Sequence, residues 1–149
     1  MFKYCVWYIL NKNHSINKCI HDYAKIFGTP VFPAHITIQH SLKLPEAEEL
    51  YDRYKNATIP EFVPCGIPYM NTMYLDDKFF FSIEQSLQVN GVRVNNIHVS
   101  LAYKLNLPFT AMDIAHVDTK LIPVIHPSDL TICIVDCSSA DIDEWTIYR

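Results

Sequence analysis

Ala34-His35-Ile36-Thr37-Ile38 and Ile97-His98-Val99-Ser100-Leu101 are the two stretches on which the reading of this chain turns. Each holds a histidine, one residue, then a hydroxyl residue, inside an apolar frame. The alternation of apolar and polar residues is that of a half-buried strand. On a strand, residues i and i+2 point to the same face. His35 and Thr37 therefore project side by side, as do His98 and Ser100. The two copies stand 63 residues apart, and together they would furnish one site with two imidazoles and two hydroxyls. A third match, His126-Pro127-Ser128, fails the context test. Proline has no place inside a paired central strand, and Asp129 follows where an apolar residue should stand. The bare pattern is short, and read alone it fits ordinary strand histidines equally well.

Outward from the motifs, residues 3–10 read as a strand rich in aromatic and β-branched side chains, and residues 11–13 as a turn. A helix is expected over residues 15–27, where Ile16, Ile20, Tyr23 and Phe27 keep a helical period and Gly28 suits the C-terminal cap. Pro30 and Pro33 hold the chain extended into the first motif strand, residues 35–41. Pro45 opens a second helix through residue 55, with Ala47, Leu50, Tyr51 and Tyr54 as its buried stripe. Residues 61–70 and 73–83 read as strands with Asp76-Asp77 as a turn, and Asn90-Gly91 is a further turn signal. The second motif strand covers residues 97–104. Thr110-x-x-Asp113 has the form of a capping box, starting a helix towards Lys120. Residues 128–137 and 145–149 are the last two strands. The order strand, helix, His-bearing strand is loosely duplicated. It suggests one α+β domain over residues 1–149, in which two lobes of antiparallel sheet face each other across a cleft with helices outside.

The pair of motifs at this separation resembles the 2H phosphoesterase superfamily. The flanks are similar to its cyclic-phosphodiesterase (LigT-like) branch. Tyr4-Cys5-Val6-Trp7 looks like that branch's Tyr-Ser-Val-Trp opening strand, and Phe27-Gly28-Thr29-Pro30-Val31-Phe32-Pro33 like its approach to the first motif. Phe79-Phe80-Phe81 resembles an aromatic strand between the motifs. His98-Val99-Ser100-Leu101-Ala102-Tyr103 fits the second motif with its trailing tyrosine, and Asp143-Glu144-Trp145 looks like the entry to the last strand. The resemblance spans nearly the whole chain. It implies the bilobal α+β fold, and a cleft lined by Trp7 and Tyr103. The chain departs from the plant members in being shorter between the motifs. The family's usual helix after the aromatic strand is not visible in residues 82–96, which leaves one cleft wall, and with it the substrate, open.

Composition narrows the function classes. Half of the 149 residues are hydrophobic and 19% are charged, which is globular and allows a sizeable core. No apolar run reaches the ~18 residues of a membrane span, and residues 4–10 read as a first strand and not as a signal-peptide core. Five cysteines without framework spacing suit free thiols in a reducing cytosol, so a cytoplasmic protein is expected. Cys133 and Cys137 lie near one strand end, with no second pair to support a metal or redox role. Net charge is −4 with no basic run. Long nucleic acid is bound mainly through phosphate neutralisation, so the expected partner is a small nucleotide or short oligonucleotide.

The chemistry follows from the residue types. Hydrolysis of a phosphodiester needs one base to activate the nucleophile and one acid to protonate the leaving oxygen. Histidine suits both tasks because its ordinary pKa, about 6.5, lies near neutrality. Hydroxyls at i+2 would donate to the non-bridging oxygens as charge grows there. His35 and His98 are the expected catalysts, Thr37 and Ser100 the phosphate ligands, and no cofactor or metal is called for. The sequence does not say which histidine is base and which acid. Trp7 and Tyr103 fit core packing as well as base stacking. Tyr103 stands at an odd spacing from His98 and reaches the cleft only through a bulge or at the strand's end. His40, five residues from His35, faces the opposite side of an unbroken strand. His14 and His21 fall on or near the first helix and His116 on the helix after Thr110. None of these four is expected to be catalytic, and they form no usual metal-ligand spacing.

The first expectation is a metal-independent phosphodiesterase acting on small nucleotides with a 2′,3′-cyclic phosphate or a related 2′-linked phosphodiester. A variant of it is degradation of an immune signalling nucleotide, such as 2′-5′ oligoadenylate or a cyclic dinucleotide like cGAMP. The richness in Asn, Lys, Ile and Tyr would fit an AT-rich genome, such as a viral one. A different class is a nucleotide-binding module without catalysis, and a third is RNA end-joining, against which the missing basic run weighs.

Overall fold

A computed structural model describes residues 3–75, 77–118, 122–139 and 142–149. The elements run in the order β1 (Tyr4–Leu10), α1 (Ser15–Phe27), β2 (His35–Leu42), α2 (Leu44–Lys55), β3 (Phe62–Pro64), β4 (Tyr69–Leu75), β5 (Lys78–Val89), β6 (Val92–Leu105), α3 (Ala111–Asp118), β7 (Leu130–Asp136) and β8 (Thr146–Ile147). The protein is thus mixed α+β. Its strands pair antiparallel in the order β3-β5-β6-β2-β1-β7-β8, and β4 lies on the same edge of β5 as β3. One eight-stranded sheet results, where two were expected. Its two strand groups, β1-β2-β7-β8 and β3-β4-β5-β6, meet at the single pair Ile36–Val99.

Alternation along β1 divides the sheet into two faces. Val6, Tyr8 and Leu10 point to one side, where α1 contributes Ile16, Ile20 and Tyr23, and α2 contributes Ala47 and Leu50. Cys5 and Trp7 point to the other, with Cys133, Val135 and Cys137 of β7 and its end. Burying the apolar stripe of each helix stabilises the first side by roughly 1.5–3 kcal/mol per large side chain. The second side is the one on which His35 and Thr37 stand.

Local signals account for most element boundaries. α1 spans the expected residues. His14 Nδ1 accepts from the Ile16 amide at its start, and Gly28 closes it at φ 66°. Thr110 and Asp113 exchange the two capping-box hydrogen bonds, at 3.1 and 2.9 Å; the expected end at Lys120 lies outside the described residues. Asn90 and Gly91 both take positive φ in a two-residue hairpin turn.

Several elements differ from expectation. Residues 61–70 are not one strand, because Gly66 takes φ 71° and Pro68 has no amide hydrogen, which separates β3 from β4. β7 begins at Leu130, after a 3-10 turn over Pro127–Asp129 that holds the rejected His-Pro-Ser match. The last strand is two residues long. Tyr51 and Tyr54 of α2 are half-buried, and only Ala47 and Leu50 are fully so. Residues 82–89 and 92–96, where the family helix is missing, belong to the long β5–β6 hairpin. Among the described residues, no helix is long and apolar enough to cross a membrane.

Candidate active site

The joint between the two strand groups positions both motifs. Antiparallel pairing of Ile36 with Val99 sets Thr37 across from His98 and His35 across from Ser100. Ile36 and Val99 point into the core and are fully buried. The four motif side chains therefore share the opposite face, with the histidines on a diagonal of the strand pair. Such positions stand about 7–8 Å apart. A cavity of about 610 Å³ opens here, within the usual range for small-ligand sites. His35, Thr37, His98, Trp7 and Tyr103 all line it, with Trp145, Asn71 and Lys3 among their neighbours.

His35 begins β2, and its surroundings fix its state. Asn17 of α1 accepts from the Ala34 amide at 2.8 Å and pins the strand's entry. Nδ1 of His35 lies 2.9 Å from the Pro33 carbonyl, which can only accept, so Nδ1 carries the hydrogen. In the neutral ring Nε2 then holds the lone pair. Trp7 lies flat on the imidazole, with centroids 3.5 Å apart and planes 9° apart. Only 4% of the residue is exposed. Burial pushes its pKa down to about 4, with the Pro33 hydrogen bond opposing and His98 adding to the effect. At neutral pH His35 is a proton acceptor.

His98 is more open, with 21% of its side chain exposed, and its Nε2 lies 3.4 Å from Oε2 of Glu84. Glu84 is 2% exposed. Its carboxylate accepts from Ser82 Oγ at 2.6 Å, Asn71 Nδ2 at 3.3 Å and Tyr69 Oη at 3.1 Å. The motif pattern does not point to Glu84. The only sequence signal is the polar alternation Ser82-x-Glu84-x-Ser86, which also describes a solvated strand face.

Bulges decide two residues. Ile83 pairs with Ala102 but Glu84 pairs with Ser100, so β6 carries an extra residue at Leu101. That reverses the alternation and turns Tyr103 to the face of His98. Tyr103 donates to Ser100 Oγ at 3.0 Å, and its ring packs 4.7 Å from Phe32 and 5.9 Å from Trp145. Burial pushes the phenol's pKa up, so it remains a donor. Ser100, 2% exposed, lies beneath Tyr103 and is not part of the cavity lining. Replacing Tyr103 with phenylalanine is expected to cost about 1 kcal/mol, since Ser100 Oγ loses its buried donor. A lower urea midpoint with unchanged slope would show it.

The second case is His40. The register between β1 and β2 slips twice, between Tyr4 and Val6 and between Val6 and Trp7. The strand is not unbroken, and His40 lines the cavity with Ile38, Gln39 and Ser41. It is exposed, with Nδ1 2.8 Å from Ser41 Oγ. The expectation that it faces away is corrected by these bulges. His14 and His116 belong to the caps and helix surfaces: His14 caps α1, and His116 sits edge-on to Tyr23 and Phe27. His21 is exposed on α1.

All five cysteines are free thiols. Cys5 and Cys137 line the cavity. The Cys137 thiol donates to the Val135 carbonyl at 3.8 Å, and its interaction with Cys5 lowers the pKa of Cys5 and raises its own. Among the described residues, no group of three or more His, Cys, Asp or Glu side chains is arranged to hold a metal ion. The cavity wall offers the imidazoles of His35 and His98, the Thr37 hydroxyl and aromatic surface. Comparison with protein-family models, curated proteins and solved structures finds no match to this chain.

Proposed function

We propose that the protein is a metal-independent phosphodiesterase of the 2H phosphoesterase kind, acting on small nucleotides with a 2′,3′-cyclic phosphate or a related 2′-linked phosphodiester. The observation that carries this reading is the convergence of His35, Thr37 and His98 on one cavity wall from motifs 63 residues apart. The two strand groups are the two lobes, and the cavity is the cleft. His35 is neutral at working pH and acts as the general base through Nε2. It takes the proton of an attacking water, or of a neighbouring ribose hydroxyl where the linkage is linear. His98 is the acid that protonates the leaving oxygen. Each turnover moves one proton onto His35 and one off His98, and solvent restores both. Thr37 donates to a non-bridging oxygen. Ser100, the other expected phosphate ligand, is buried beneath Tyr103 and outside the cavity lining; it accepts from the Tyr103 phenol and holds that ring at the wall.

Trp145 and Tyr74 line the cavity and offer aromatic surface for a base. A volume of about 610 Å³ also admits the second reading, a dinucleotide or short 2′-5′-linked signalling oligonucleotide.

The test is a turnover panel in excess EDTA. It holds 2′,3′-cyclic mononucleotides, 2′-5′ oligoadenylate, and cyclic dinucleotides with 2′-5′ and 3′-5′ linkages. Turnover of one class without metal is expected. Inertness towards every member would remove the enzymatic reading and leave a nucleotide-binding module as the leading account.

A further inference from the structure

We infer that Glu84 is a positioning residue for His98, a buried counter-charge that orients the ring and balances it when it is protonated; this rests on the phosphodiesterase reading. Three observations converge. The carboxylate is buried inside the β4-β5-β6 sheet, where an unpartnered charge would be strongly unfavourable. Its oxygens accept from a hydroxyl, an amide and a phenol on two strands, so its position is held independently of His98. It nevertheless stands 3.4 Å from Nε2 of His98, on the side of the ring away from β2.

A stable core does not call for this arrangement. Apolar residues in place of Glu84 and its polar partners together would fill the same space, and replacing a whole buried charged cluster is often neutral or stabilising. The position does matter for the reaction. His98 passes between neutral imidazole and imidazolium once per turnover. A fixed carboxylate beside it balances the charged form and keeps the ring aimed during the transfer. Glu84 exchanges no proton in this role, and no bond to it forms or breaks. It lies outside the cavity lining and does not contact substrate, so its effect falls on the chemical step and not on binding.

The experiment measures kcat and KM for wild type, Glu84→Gln and Glu84→Asp on the substrate found in the panel. Glu84→Gln keeps the size and an acceptor but removes the charge. Glu84→Asp keeps the charge but draws it back from His98. The expected result is a fall in kcat of at least tenfold for Glu84→Gln, a smaller fall for Glu84→Asp, and KM within twofold for both. If Glu84→Gln does not fold, Glu84→Asp and Ser82→Ala carry the same test, since both disturb the placement of the carboxylate and leave its charge. A kcat within twofold of wild type in every folded variant, or changes confined to KM, would overturn the inference. An inert wild type, or a His98→Ala variant as active as wild type, would instead remove the reading beneath it.

Discussion

His98→Ala is expected to lower kcat/KM by about 10²–10⁴-fold, the usual contribution of one acid or base, which is about 2.7–5.5 kcal/mol of transition-state stabilisation. His35→Ala should fall in the same range, and the double variant little further than the worse single. Acid and base serve one displacement, so removing either leaves the other with no productive proton to move. His98 gives the cleaner measurement. A fifth of its side chain is exposed, whereas His35 is stacked under Trp7 and its truncation opens a void. Circular dichroism and a melting curve on each variant separate lost chemistry from lost fold. A His98→Ala variant within threefold of wild type, natively folded, would end the two-histidine account.

The strand character of the motifs was legible because it rests on a two-residue period and apolar frames, which local sequence carries. Pro33 before His35, Gly28 after α1 and Asn90-Gly91 at the hairpin are equally local signals. The parts that were not legible all depend on register. Counted back from Asn90-Gly91, a regular hairpin would set His98 opposite Ile83, on the core side. Slippage along β6 pairs it with Ser86, on the cavity side. No glycine or proline marks the bulges near Leu101 and Ile38, so neither the turn of Tyr103 into the cavity nor the position of His40 could be read from spacing. Glu84 was missed for the same reason. A polar row such as Ser82-x-Glu84-x-Ser86 describes a solvated strand face equally well, and only the slipped register brings it under His98. The joining of the two strand groups through Ile36–Val99 is a long-range contact that no local pattern encodes.

Lowering the pH from about 7 to about 4 is expected to cost the folded protein roughly 3 kcal/mol through His35 alone. Its pKa is about 4 in the folded protein and about 6.5 in an unfolded chain. Between these values the unfolded chain binds a proton that the folded one refuses. Stability from this group is complete above about 6.5, falls as the pH falls, and is gone below about 4. His35→Phe isolates the effect, because a phenyl ring can keep the stack on Trp7 and does not titrate. The Pro33 carbonyl loses its donor in that variant, but this offset does not depend on pH. Other groups titrate in both proteins and cancel in the difference. Urea unfolding at intervals from pH 4 to 8 should show wild type losing roughly 3 kcal/mol relative to His35→Phe across the range. A difference that stays flat with pH would mean that His35 is not held neutral by burial. The same burial is what leaves Nε2 unprotonated at neutral pH. His35→Phe should therefore gain acid tolerance and lose turnover together, which a protein using His35 only for packing would not do.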